Sequence, residues 1–151
     1  MKKIACAYLM YLQYLESPNL DEILIVDKFP LAKYAAQNWV IHAREAEGST
    51  EICKMALRFL HRDELCYKRS FLFHDIDRPW RTIGTRYNPL VPTRRARRCV
   101  PTTTVSPLYY ASFVGLVDIV RSLLERGEEI NEGCGFFGNA LSAAASQVCS
   151  V

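Results

Sequence analysis

Two stretches of this chain repeat one another 33 residues apart, and that interval limits the possible folds more tightly than any other feature. Ser106-Pro107-Leu108-Tyr109-Tyr110-Ala111 aligns with Asn139-Ala140-Leu141-Ser142-Ala143-Ala144, so that Leu108 matches Leu141 and Ala111 matches Ala144. A repeat of this length is a helical unit that buries its apolar side only by stacking on a neighbour. In the first copy Pro107 opens one helix, Gly115 separates it from a second, and Gly127 closes the second as a left-handed cap. Val117, Ile119, Val120, Leu123 and Leu124 give that second helix an apolar face. Gly133, Gly135 and Gly138 then suit a hairpin leading into the second copy, which reads as truncated.

The first half of the chain reads as a helical module over residues 1–80. Its basic and apolar start, Met1-Lys2-Lys3 followed by Ile4 to Leu12, has the outline of a secretory leader. Three tyrosines within Tyr8–Tyr14 and the absence of a small-x-small site favour an ordinary core-facing helix. Pro18 ends it, and Glu22 to Val26 is either a short strand or a connector. A helix with Asp27 near its start and Pro30 in its first turn should carry Leu31, Tyr34, Ala35 and Trp39, with Gly48 beyond its end. Ser49 or Thr50 should cap the next, whose apolar stripe is Ile52, Met55, Ala56, Phe59 and Leu60. Leu65 to Phe73 holds a further short helix. The fold expected is therefore all-α: a helical module, a linker over 81–105, and an ankyrin-like start over 106–151.

Charge separates these segments. Arg78 to Val105 contains seven Arg and no acid, whereas from Ser106 onward two Arg face five acids. The arginine segment also holds Pro89, Pro92 and Pro101, so it is expected to be an extended, solvated linker. The six cysteines include no C-x-x-C pair, which argues against a structural zinc site or a redox motif and for reduced thiols inside the cell. His42, His61 and His74 lack paired ligand spacing, so neither a metal centre nor a catalytic pair is expected.

The period is that of the ankyrin repeat, and Ser106–Ala111 is close to its T-P-L-H-x-A signature, with Tyr109 in place of the usual histidine. A second set of residues resembles a particular group. Phe29-Pro30-Leu31-Ala32-Lys33-Tyr34-Ala35-Ala36-Gln37-Asn38-Trp39-Val40-Ile41-His42-Ala43 is similar to the F-P-L-x-x-Y-A-A-x-x-W-x-x-H-A stretch of fungal NACHT–ankyrin (STAND-type) proteins. Ile4 to Leu15 resembles the helix before that stretch, and Ile76-Asp77-Arg78-Pro79-Trp80 resembles the D-x-D-R-P-W element before the ankyrin array. The resemblance implies a piece that follows the NTPase core and a winged-helix-like segment and opens the repeat array. No G-x-x-x-x-G-K-[ST] phosphate loop is present, so nucleotide hydrolysis is not carried over.

What the resemblance implies about function is protein binding without catalysis. By register with the family, Tyr110 and Phe113 fall on or near the concave face of the first helices, and Phe136 and Phe137 near the following hairpin. Each of these rings has a second reading, as a cover for neighbouring helices. Tyr109 is read as structural. Arg94, Arg95, Arg97 and Arg98 form a candidate nuclear-import patch. With only Trp80 and Tyr87 nearby to stack on bases, nucleic acid is a disfavoured partner. The expected partner is a protein; no cofactor, small-molecule substrate or membrane is expected, and the expected location is the cytoplasm, with the nucleus as the alternative. Two further readings stand beside this one: a nuclear, basic protein, and a truncated gene product without a function of its own.

Overall fold

Alanines let the first long helices come together closely. In the computed structural model, which describes residues 2–17, 25–61, 65–76 and 105–148, α1 spans Lys2–Gln13 and α3 spans Ala32–Arg44. Helix α1 buries Ala5, Leu9 and Leu12, and α3 buries Ala32, Ala35, Ala36, Trp39 and Ala43. Those positions lie three and four residues apart, so each set forms one stripe. The two helices pack along their length, with Tyr8 edge-on to Tyr34 at 5.8 Å and Tyr11 edge-on to Phe29 at 5.9 Å. The apolar N-terminal run is thus a core-facing helix, continued by a 3-10 turn at Tyr14–Glu16 that buries Leu15.

Pro30 does not sit inside the first turn of the long helix, as its position suggested. A short α2, Ile25–Lys28, comes first, and α3 begins only at Ala32. Proline offers no N–H and its ring crowds the carbonyl four residues back, so the helical path breaks there. The described part of the Glu22–Val26 run is accordingly helical and not a strand.

Helix α4, Thr50–Phe59, buries Ile52, Ala56, Leu57 and Phe59, while Met55 is half-buried. Helix α5, Leu65–Phe73, has neighbours on most sides: Cys66, Tyr67, Arg69, Ser70, Phe71, Leu72 and Phe73 are all buried. The Arg69 guanidinium donates from Nη1 to the carbonyls of Leu15 (2.6 Å) and Ser17 (2.7 Å). Those carbonyls close the first helical segment, where positive charge meets the negative end of the helix dipole.

The repeated register appears as repeated capping. Helix α6 spans Pro107–Phe113, α7 spans Val117–Glu125 and α8 spans Ala140–Val148. Ser106 Oγ accepts the Tyr109 N–H at 3.2 Å, and Asn139 Oδ1, at the matching position, accepts the Ser142 N–H at 2.8 Å. Each side chain satisfies an N–H that the first helical turn leaves unpaired. At the far ends, Gly115 (φ +71°) and Gly127 (φ +84°) take the left-handed conformation. Leu116 N–H then reaches the Ala111 carbonyl at 3.0 Å, and Glu128 N–H the Leu123 carbonyl at 3.2 Å. This is the six-to-one closure that a glycine cap permits.

One hydrophobic core runs through both halves of the chain. Tyr110 on α6 lies nearly parallel to Trp39 at 6.0 Å and makes T-shaped contacts with Tyr67 (6.0 Å) and Phe71 (6.1 Å). Tyr67 in turn donates its hydroxyl to the Val105 carbonyl at 2.9 Å, at the entry to α6. A second junction is polar. Glu47 Oε1 accepts the Val117 N–H (3.0 Å), capping α7, and Asp118 Oδ2 accepts the Gly48 N–H (2.8 Å). Among the described residues the protein is helical, without strands, and no helix is long and apolar enough to cross a membrane.

Replacing Tyr110 with Ala removes a ring packed on three others and should cost about 3–5 kcal/mol, read as a lowered urea midpoint, whereas Tyr110→Phe should keep most of that stability. Equal midpoints for the two variants would refute the hub. His74 supplies a pH test. Burial lowers its pKa below the usual 6.5, Asp75 opposing the shift and Lys33 adding to it. Because the folded chain resists the proton that the unfolded chain accepts, stability should be complete above about pH 6.5 and fall as pH drops through that value. Urea midpoints at about pH 8 and pH 5 should differ less in His74→Gln than in the parent; equal differences would exclude His74 as a source.

Candidate interaction surface

Adjacent tyrosines on α6 point about 100° apart, which sends their rings to different places. Tyr110 goes inward to Trp39 and is buried. Burial pushes its phenol well above the ordinary tyrosine value, and a hydrogen bond with Trp39, whose indole can only donate, works in the opposite direction. Its ring therefore covers first-half helices and is not exposed to a partner. Of the two readings open for Tyr110 in the sequence, the covering one describes its position.

Tyr109 faces the other way, and a run of rings follows from it. Phe113, one helical turn along, lies parallel to Tyr109 at 6.4 Å. Phe137 stacks on Phe113 at 5.7 Å, and Phe136 meets Phe137 edge-on at 5.2 Å. Exposure rises along the series: Tyr109 is fully buried, Phe113 and Phe137 are half-buried, and Phe136 is 63% exposed. Three of the four rings singled out from the sequence, Phe113, Phe136 and Phe137, are thus brought into one ladder, and Tyr110 is not.

Polar contacts hold the loop between α7 and α8 against the start of α6. The Phe137 N–H donates to the Tyr109 hydroxyl at 3.2 Å, and the Ser106 N–H donates to Cys134 Sγ at 3.5 Å. Cys134 returns a contact to Ser106 Oγ at 3.5 Å, and its N–H closes the turn on the Gly138 carbonyl at 2.9 Å. Tyr109 is therefore the positioning residue of the ladder as well as its buried end. Tyr109, read from the sequence as structural, is fully buried here.

The arginine patch at Arg94, Arg95, Arg97 and Arg98 lies outside the described residues. Where α3 and α4 meet α7, Ala43, Gly48, Ser49, Cys53, Leu116 and Ile119 line a cleft of about 20 Å³, room for about one water. His61 is exposed, Cys66 is buried and His74 is half-buried. Among the described residues, no three His, Cys, Asp or Glu side chains gather as a metal site.

Comparison with known proteins adds one relative. Over 140 residues the chain is 32% identical to the azaphilone pigments biosynthesis cluster protein L of Monascus ruber. The aligned stretch covers 87% of this chain but only 28% of that protein. No family model matches the chain, and no solved structure matches it.

Tyr109→Phe keeps the ring and removes the acceptor for the Phe137 N–H. It should cost about 1 kcal/mol and speed amide exchange at Phe137 in particular. Unchanged protection at that amide would show that the loop is held by the rings alone.

Proposed function

We propose that this chain is a non-enzymatic protein-interaction and regulatory piece of an ankyrin-repeat, NACHT-type protein. The graded ladder from Tyr109 to Phe136 is the observation that supports this most directly. A protein core gains by covering aromatic rings, yet here buried rings and a main-chain hydrogen bond support one that stays 63% exposed. Large, pre-positioned aromatic side chains are favoured contacts at interfaces because little freedom is lost when they bind.

The 33-residue repetition of caps, at Ser106 and Asn139, supports the ankyrin-type part of this proposal. The matched leucines differ in surroundings: Leu108 is buried, while Leu141 is 77% exposed and open to a further contact. The relative from Monascus ruber is named for a biosynthesis cluster, and its matched stretch is a small share of its length. For the present segment we infer a part in assembly or control beside other proteins. We also place it in the cytoplasm, with Arg94–Arg98 as the segment that would redirect it to the nucleus.

The test is affinity capture from the source organism, followed by reconstitution with the purified captured protein. Phe136→Ala in the folded chain should weaken that complex about tenfold or more. Unchanged affinity, with an unchanged circular-dichroism melt, would remove the ladder from the interface.

A further inference from the structure

The loop joining α7 to α8 combines exposed apolar groups with negative charge. Ile130 is 59% exposed and Phe136 63% exposed, and Leu124 in the last turn of α7 is 41% exposed. Between Glu125 and Glu132 the chain has Glu125, Glu128, Glu129 and Glu132 against Arg126 as the sole base. Glu125 and Glu129 are exposed. Another set of exposed apolar residues, Leu31 just before α3 and Tyr34 and Ile41 on it, is flanked by Lys33, Arg44 and Glu45 and so carries both signs. The α7–α8 loop has a single sign in excess, and that selects the chemistry of what can lie on it.

We propose that this loop receives a basic, apolar peptide segment of a partner protein. The proposal rests on the interaction function above and adds the partner's chemistry. Apolar side chains of such a segment would cover Ile130 and Phe136, removing surface that now faces water. A Lys or Arg within the same segment would meet the negative face of the Phe136 ring, an attraction that grows as the site is desolvated. Glu125 and Glu129 would attract it from beyond contact, within the screening length set by salt. The loop is anchored, its Phe137 N–H bonded to the Tyr109 hydroxyl and its Cys134 thiol to Ser106 Oγ, so little loop freedom would be lost on binding. An acidic segment would be repelled, and a neutral one would gain only the apolar part.

Fluorescence anisotropy on the full chain tests this with three labelled peptides of about 16 residues. They share the same apolar positions and carry Lys/Arg, Gln or Glu at the others. The basic peptide should bind about tenfold more tightly than the Gln peptide, and the Glu peptide should not bind. Its affinity should fall several-fold as salt is raised to physiological strength, drop about tenfold in Phe136→Ala, and lose its charge preference in Glu125→Lys/Glu129→Lys. Equal binding of all three peptides, still sensitive to Phe136→Ala, would overturn the charge assignment and leave the interaction function standing. No binding of any peptide, or binding indifferent to Phe136→Ala in a folded chain, would count against both. Basic-peptide binding seen only after Arg94, Arg95, Arg97 and Arg98 are changed to Ser would assign the loop to the chain's own arginines and overturn the partner proposal. A dimer in sedimentation that dissociates in Phe136→Ala would assign it to a second copy, with the same consequence.

Discussion

The stacking of Tyr110 on Trp39 is the contact on which the arrangement of this protein depends. It joins α3, from the first half of the chain, to α6, from the second, through rings 6.0 Å apart and nearly parallel. Tyr67 and Phe71 of α5 close around the same phenol, so three first-half side chains hold one second-half residue. With that ring fixed, the rotation of α6 about its axis is fixed as well. Tyr109 and Phe113 must then point toward the α7–α8 loop, and the ladder follows from that orientation.

The junction outside this hub is made differently. Glu47 and Asp118 each accept a main-chain N–H from the opposite half, so two half-exposed or exposed carboxylates close the two chain segments on one another. Such bonds are individually modest in contact with water. They set the position of α7 relative to α3 and α4, where Cys53 Sγ and Ser122 Oγ also approach to 3.6 Å. The burial of rings supplies the stability, and the carboxylates supply alignment.

Much of the local structure could be read from residue type and spacing. The glycine closure at 127 and the apolar stripe of α4 follow from short-range rules that act within one turn, whereas Ser49, expected to cap α4, makes no side-chain bond to that helix start. Pro30 reads in the sequence as a first-turn residue but lies between α2 and α3, because proline is tolerated at a first turn as well as excluded from an interior. The candidate site was legible in part. Phe113 reads with Tyr110 on one helix face, and Phe136 and Phe137 near a hairpin, but nothing in the sequence separates Tyr110 from the other three as the ring that goes to the core. Leu141 illustrates the same gap: it matches Leu108 in register and differs from it in surroundings, being exposed where Leu108 is buried.

The sequence by itself determined that the fold is all-α, that the starts of α6 and α8 match at a 33-residue interval, and where glycine closes α7, since these depend on backbone hydrogen bonds and side chains within a few residues of one another, whereas the cap of α7 comes from Glu47 in the other half of the chain. Only the tertiary structure decided which aromatic rings are core and which are surface. That choice is made by residues 28 to 71 positions distant in sequence: Trp39 for Tyr110, and Tyr109 for Phe137. No local preference encodes such a contact, because a ring gains the same free energy from any apolar neighbour that excludes water, and packing alone determines which neighbour is there.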